Sequence, residues 1–296
     1  NVRGSDPKYD VTGMDVIVDS GATLTLNTNL AGAELGNITD AGAEIGNVNV
    51  QSGTVGDIDV EGTVSVGNAS TKGATAGNVV AGNNVTITGS NTEEGPAVTV
   101  GNVTGDKNVT ITASDLKSNG QYVGGGDVTV GDVAGAGTVT LKAGSAINTM
   151  TLGSVSGIEG TYPDCPYTAK LSVTSGTFDL GDLLYFGSIT ISKDVNVTAG
   201  AIDTGAAGTT HANPTATSTS SLTVNGRLTI DSLKVNKVNS GNGTIIAPVN
   251  SVEVTGTTGA TGTTLLVEDA NVGDVLYSST SSNNNMFLMP GVTAVE

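Results

Sequence analysis

One short phrase constrains this chain more than any other feature. An apolar residue, a Gly, an Asn or Asp and a second apolar residue recur in that order along the sequence. The phrase reads Leu35-Gly36-Asn37-Ile38, Ile45-Gly46-Asn47-Val48, Val55-Gly56-Asp57-Ile58 and Val66-Gly67-Asn68-Ala69. It returns as Ala76-Gly77-Asn78-Val79, Val100-Gly101-Asn102-Val103 and Val130-Gly131-Asp132-Val133, with a looser copy at Leu152-Gly153-Ser154-Val155. Gly36, Gly46 and Gly56 stand 10 residues apart, and from Gly56 to Gly77, Gly101, Gly131 and Gly153 the steps are 21, 24, 30 and 22. A repeat of this length is the signature of a stacked architecture, in which each unit buries its apolar face against the next.

Between the copies lie short alternations of Val, Ile or Leu with Thr or Ser. Val85-Thr86-Ile87-Thr88, Val109-Thr110-Ile111-Thr112 and Val139-Thr140-Leu141 are examples, and Leu171-Ser172-Val173 and Leu222-Thr223-Val224 repeat the pattern downstream. Strict alternation marks a strand with one buried and one wet face. Strands of about 4–5 residues are too short to stand alone, even as a hairpin. Coils of about 22 residues, stacked so that each inward side chain meets its equivalent roughly 4.8 Å along the axis, resolve that difficulty. The Gly-Asn and Gly-Asp pairs are expected to turn the corners with positive φ, which β-branched residues do not adopt. The interior has to be thin, because aromatics make up 3% of the chain and Trp is absent. The expected fold is therefore all-β, a parallel β-solenoid nearly free of helix, with lateral loops where the step lengthens. Tandem β-sandwich domains are the alternative, since they also string short alternating strands between turns.

Val18-Asp19-Ser20-Gly21-Ala22-Thr23-Leu24-Thr25-Leu26 and Leu222-Thr223-Val224-Asn225-Gly226-Arg227-Leu228-Thr229-Ile230 resemble coils of the pectin-lyase-like right-handed β-helices of bacterial surface adhesins and autotransporter-type passengers. The composition, acidic and rich in Thr, Gly and Val but poor in Cys, Met and His, is similar to that of bacterial surface-layer proteins. The resemblance implies a right-handed coil and an extracellular, cell-surface setting. No surface-layer-homology anchor or sortase motif accompanies it.

Charge narrows the partners. With 28 acidic against 11 basic residues the net charge is −17, which opposes binding to nucleic acid or anionic membrane. No run of 18 apolar residues is present, so no membrane insertion is expected. The chain opens at Asn1 without a leader, so an exported protein of this kind is expected to be a mature or trimmed form. Cys165 is the single cysteine, which excludes an internal disulfide and a Cys-based zinc site.

Three parts are expected: solenoid coils over 1–157, an aromatic-rich insertion or junction at 158–187, and further coils over 188–296. Low-complexity sequence at 204–221 is expected to form a loop, and the Met286–Met289 tail to cap the last coil. Tyr162, Tyr167, Phe178, Tyr185 and Phe186 crowd the middle part, either as a satellite core under a loop or as a partner or ligand patch. In Asp57-Ile58-Asp59-Val60-Glu61 three carboxylates fall on one strand face, either an ordinary solvated face or half of a Ca2+ site if the next coil adds oxygens. Ca2+ is the one ion such a site would take; no other cofactor is expected.

Catalytic residues are scarce. Arg occurs only at Arg3 and Arg227, and the one histidine, His211, sits in the low-complexity loop. Asn-Val-Thr at Asn84, Asn102, Asn108 and Asn196 matches a glycosylation acceptor, but Asn opening a strand at a corner, or stacking in a ladder there, accounts for it equally. The expected function is a structural or adhesive surface module without catalysis, whose partners are other surface proteins, host or cell-wall glycans, or copies of itself. The alternatives are a carbohydrate-binding or carbohydrate-active β-helix and a self-assembling filament subunit.

Overall fold

A computed structural model of the chain describes residues 12–27, 34–41, 45–68, 73–89, 97–113, 116–118, 121–124, 127–144, 149–158, 168–203, 220–235, 237–238 and 243–247, and the backbone of strands at 252–254, 264–267, 275–277, 285–288 and 294–295. Among these residues there is no α-helix. Short strands stack in parallel, coil upon coil, as a parallel β-helix and not as sandwiches. The right-handed sense that the resemblance implies is also the one that crossovers between parallel strands nearly always take. Two compact units are formed, one of Asn1–Gly135 with Thr140–Leu152 and the other of Ala136–Val139 with Gly153–Glu296.

In the first unit a complete coil has three strands. The coil starting at Val98–Val100 continues through Val103–Gly105 and closes with Val109–Thr112. Each strand alternates buried and outward residues, and the register is kept from coil to coil. The interior is thus tiled by columns of like residues. Leu26, Val50, Val66, Ile87 and Ile111 follow one another on the third strands. Ile38, Ile58, Val79, Val103 and Val133 do so on the second strands, and Val55, Ala76, Val100, Val130 and Leu152 on the first. All of them are buried. Fully burying one such aliphatic side chain contributes about 1.5–3 kcal/mol, so the core needs no large ring.

The second unit repeats the plan with larger residues. Phe178, Val197, Leu228 and Ile245 form one interior column, and Val173, Ile191 and Val224 another. Here the first and second strands of a coil merge into single long strands, Asn196–Asp203 and Arg227–Val235.

The corners overturn one expectation, positive φ, and show one thing that the spacing left open. First, Gly36, Gly46, Gly56, Gly77, Gly101 and Gly131 do not have positive φ; of the glycines in the repeated phrase that are described, only Gly67 does, at 82°. These glycines provide room instead. A Cβ on Gly56 would come within 2.5 Å of Asn37 Oδ1, and one on Gly101 within 2.8 Å of Asn78 Oδ1. Second, the 10-residue steps are not coils. Gly36 and Gly56 stack directly, with the Gly56 N–H donating to Gly36 O at 3.0 Å, whereas Gly46 precedes the third strand Asn47–Val50 and Gly67 follows the third strand Val64–Val66. One phrase therefore serves three different corners.

The 30-residue step expands into more than a loop. Leu116–Ser118 and Gln121–Gly124 pair antiparallel, with an irregularity between Leu116 and Lys117. From residue 168 onward the aromatic-rich stretch runs as coil strands, Lys170–Ser175, Thr177–Leu180 and Leu183–Leu184.

Candidate functional site

The Gly-Asx corner builds a ladder of side-chain hydrogen bonds along the first unit. Asp15 Oδ1 accepts from the Asn37 N–H at 2.8 Å, Asn37 Oδ1 from the Asp57 N–H at 3.0 Å, and Asp57 Oδ1 from the Asn78 N–H at 2.7 Å. Asn78 Oδ1 then accepts from the Asn102 N–H at 3.0 Å, and Asn102 Oδ1 from the Asp132 N–H at 2.9 Å. Each Asx oxygen reaches under the glycine of the following coil, which explains why Gly and Asx occur together. In the second unit Asp182 Oδ1 accepts from the Ala201 N–H at 2.8 Å in the same way.

Asp57, Asp59 and Glu61 are each exposed, but only Asp59 lies on the strand Ile58–Val60, with Asp57 just before it and Glu61 just after. Asp57, however, is a rung of the ladder, and its Oδ1 also accepts from Asn78 Nδ2 at 3.3 Å. Asp59 has Thr39 and Val80 as its neighbours on the adjacent coils, so neither coil adds a carboxylate beside it. The Glu61 N–H donates to Asp40 Oδ2 at 2.6 Å. Among the described residues no group of three or more His, Cys, Asp or Glu side chains is placed to hold a metal ion.

The ladder reading makes a prediction at Asp57. Asp57→Asn keeps an acceptor oxygen and is expected to leave stability within about 0.5 kcal/mol. Asp57→Ala leaves the Asn78 N–H to water and is expected to cost about 1 kcal/mol. Thermal unfolding of the two variants, with and without added Ca2+, checks both, and a Ca2+-dependent rise in midpoint that Asp57→Asn abolishes would contradict the ladder role.

The aromatic candidates separate. Phe178 and Phe186 are buried in the interior of the second unit, not displayed on a patch. Tyr185 is 37% exposed and sits at φ 61° between buried Phe186 and half-buried Leu184. Tyr162 and Tyr167, with Cys165 and His211, lie outside the described residues, as do the low-complexity stretch 204–219 and the side chains of the Met286–Met289 tail. Of the Asn-Val-Thr sites, Asn84 and Asn102 act as acceptors between coils, and Asn108 Nδ2 donates to Asn84 Oδ1 at 3.2 Å. Asn196 is exposed at the start of its strand.

Stacking also creates outward columns that sequence inspection did not find, because they depend on the register between coils. On the first strands Thr54, Thr75, Thr99, Thr129 and Thr151 stand in line, all exposed. On the third strands Thr25, Asn49, Ser65, Thr86 and Thr110 form a central column. Thr23 and Asn47 flank it on one side, and Thr88 and Thr112 on the other. The described acidic residues of this unit lie off these strands: Asp15, Asp57 and Asp132 at the Gly-Asx corner, Asp40 and Asp59 on second strands, Glu61 and Asp106 just beyond them, Asp19 just after Val16–Val18, Glu34 just before Leu35, and Asp127 just before Val128–Val130.

No protein-family model matches the sequence, and comparison with curated proteins and with solved structures finds no match.

Proposed function

We propose that the chain is a structural or adhesive module of a bacterial cell surface, a stalk, surface-layer or adhesin element that carries out no catalysis. The observation that carries this reading is the corner ladder. Polar side chains that an enzyme would aim at a substrate are here engaged from coil to coil, which rigidifies a repeating body. The shortage of basic residues supports it, since carboxylates acting on sugars commonly work beside Lys or Arg and aromatic platforms. Net charge keeps such a surface soluble and away from nucleic acid.

A self-assembling filament is the second reading, favoured by one observation. Among the described residues, Val16–Val18 and Thr23–Leu26 pair with a neighbouring strand on one side only, and an open strand edge is a template for another chain. Electron microscopy of the purified chain, with and without Ca2+, tests both. Monodisperse short particles are expected for a stalk or adhesin, and fibres for a filament subunit. Turnover of a polysaccharide, or glycan-array hits lost on Tyr185→Ala, would overturn the non-catalytic, structural reading in favour of a carbohydrate-active one.

A further inference from the structure

We infer that the third-strand face of the first unit is a water-ordering surface that docks onto ice. It goes beyond the surface role and does not depend on it.

The first observation is regularity in two dimensions. Thr25, Asn49, Ser65, Thr86 and Thr110 lie in register on successive coils. Two residues along the strand Thr88 and Thr112 stand side by side, and two residues back Thr23 and Asn47 do the same. Hydroxyl and amide groups therefore repeat about every 4.8 Å along the stack and about every 6.6 Å across it. Water held on such a grid takes positions set by the protein, with bridging bonds nearly as favourable as direct ones.

The second observation is charge. The chain carries −17, yet the outward positions of Thr23–Leu26, Asn47–Val50, Val64–Val66, Val85–Thr88 and Val109–Thr112 hold no ionised side chain; the next strand of that sheet, Thr138–Lys142, ends in exposed Lys142, which bounds this five-strand neutral patch. An ionised group gathers its own hydration shell and is excluded from a growing ice lattice. A neutral face on an otherwise acidic body thus matches an uncharged, hydrogen-bonded crystal, and offers nothing to a cation or a polyanion.

Two other occupants fit less well. A sugar polymer would want aromatic rings to stack on, and this face has none. A second copy would find too little area: five coils by five residues give roughly 24 by 16 Å, or about 400 Å², half of the roughly 800 Å² per partner of a standard stable interface. The exposed threonine line on the first strands is a single column beside the acidic corner, so it does not define a grid.

The test is uptake of the purified, fluorescently labelled chain into a slowly grown ice hemisphere, alongside inhibition of ice recrystallisation. Wild type is expected to enter the ice and slow grain growth. Thr86→Lys with Thr110→Lys places charge on the grid and should reduce uptake to that of a non-binding protein. Thr99→Lys, the same change on the first-strand column, should leave uptake unaltered, and circular dichroism establishes that both variants fold. Exclusion of the wild type from ice overturns the proposal, and so does equal loss in Thr99→Lys. Face-specific dimerisation, or glycan-array binding abolished by Thr86→Lys, would also overturn it by naming a different occupant.

Discussion

Phe178→Ala is expected to destabilise the second unit by about 3–5 kcal/mol, the range for truncating a buried ring. Phe178 is 1% exposed and stands in one interior column with Val197, Leu228 and Ile245. That column is one side chain wide, and backbone ladders fix the coils on either side. The surroundings are therefore poorly able to collapse into the space the phenyl ring leaves. Since domains are commonly stable by only about 5–15 kcal/mol, much of the margin would go. Stacked coils interact mainly with their nearest neighbours, so the loss should appear first in the coils next to Phe178. Denaturant unfolding followed by circular dichroism gives the total, and amide hydrogen exchange gives the location. Tyr185→Ala is the matched control: its side chain is 37% exposed, and its cost should stay below about 1 kcal/mol. Equal losses in the two variants would mean that Phe178 does not hold the interior column.

The sequence carried the architecture in its alternation. Val85-Thr86-Ile87-Thr88 and Val109-Thr110-Ile111-Thr112 state which side chains go inward, and the structure pairs them residue for residue. What local pattern does not contain is the identity of the neighbour 20 to 30 residues away. For that reason Ile45-Gly46-Asn47-Val48 looks like the same corner as Leu35-Gly36-Asn37-Ile38, although the two occupy different edges of the coil. It is also why positive φ, a local property, was the natural reading of a glycine whose constraint comes from the coil beneath it. The aromatic stretch misled differently. Thr177-Phe178-Asp179-Leu180 has the same inward and outward order as the other strands, but its composition marks it as foreign. The candidate carboxylates Asp57, Asp59 and Glu61 are all exposed, at the corner, on the strand and just beyond it. Their neighbours across the stack, Thr39 and Val80 beside Asp59, were fixed only by register. The columns of Thr, Ser and Asn were hidden for the same reason, each contributing a single residue per coil.

Gly62→Ala puts the close-approach reading to its strongest test. A Cβ at Gly62 would run into the carbonyl oxygen of Gly46, and would stand 2.8 Å from Asn47 Oδ1. The first of these is backbone, so no rotamer change relieves it. Relief requires the coils to part where Asn47 Oδ1 accepts the Thr63 N–H at 2.9 Å and where the Val48 N–H donates to Thr63 O at 2.9 Å. Overpacking a rigid interior typically costs about 1–3 kcal/mol, and with these bonds strained the expected loss lies at the upper end, about 3 kcal/mol. Gly21→Ala is the contrasting case. Gly21 has φ +69° and no atom within 4 Å of where its Cβ would sit, so only the left-handed backbone penalty applies. That penalty is about 1–2 kcal/mol. Gly62→Ala should therefore lower the unfolding midpoint more than Gly21→Ala. The reverse order would show that backbone conformation, and not the packing of one coil against the next, is what the glycines of this chain supply.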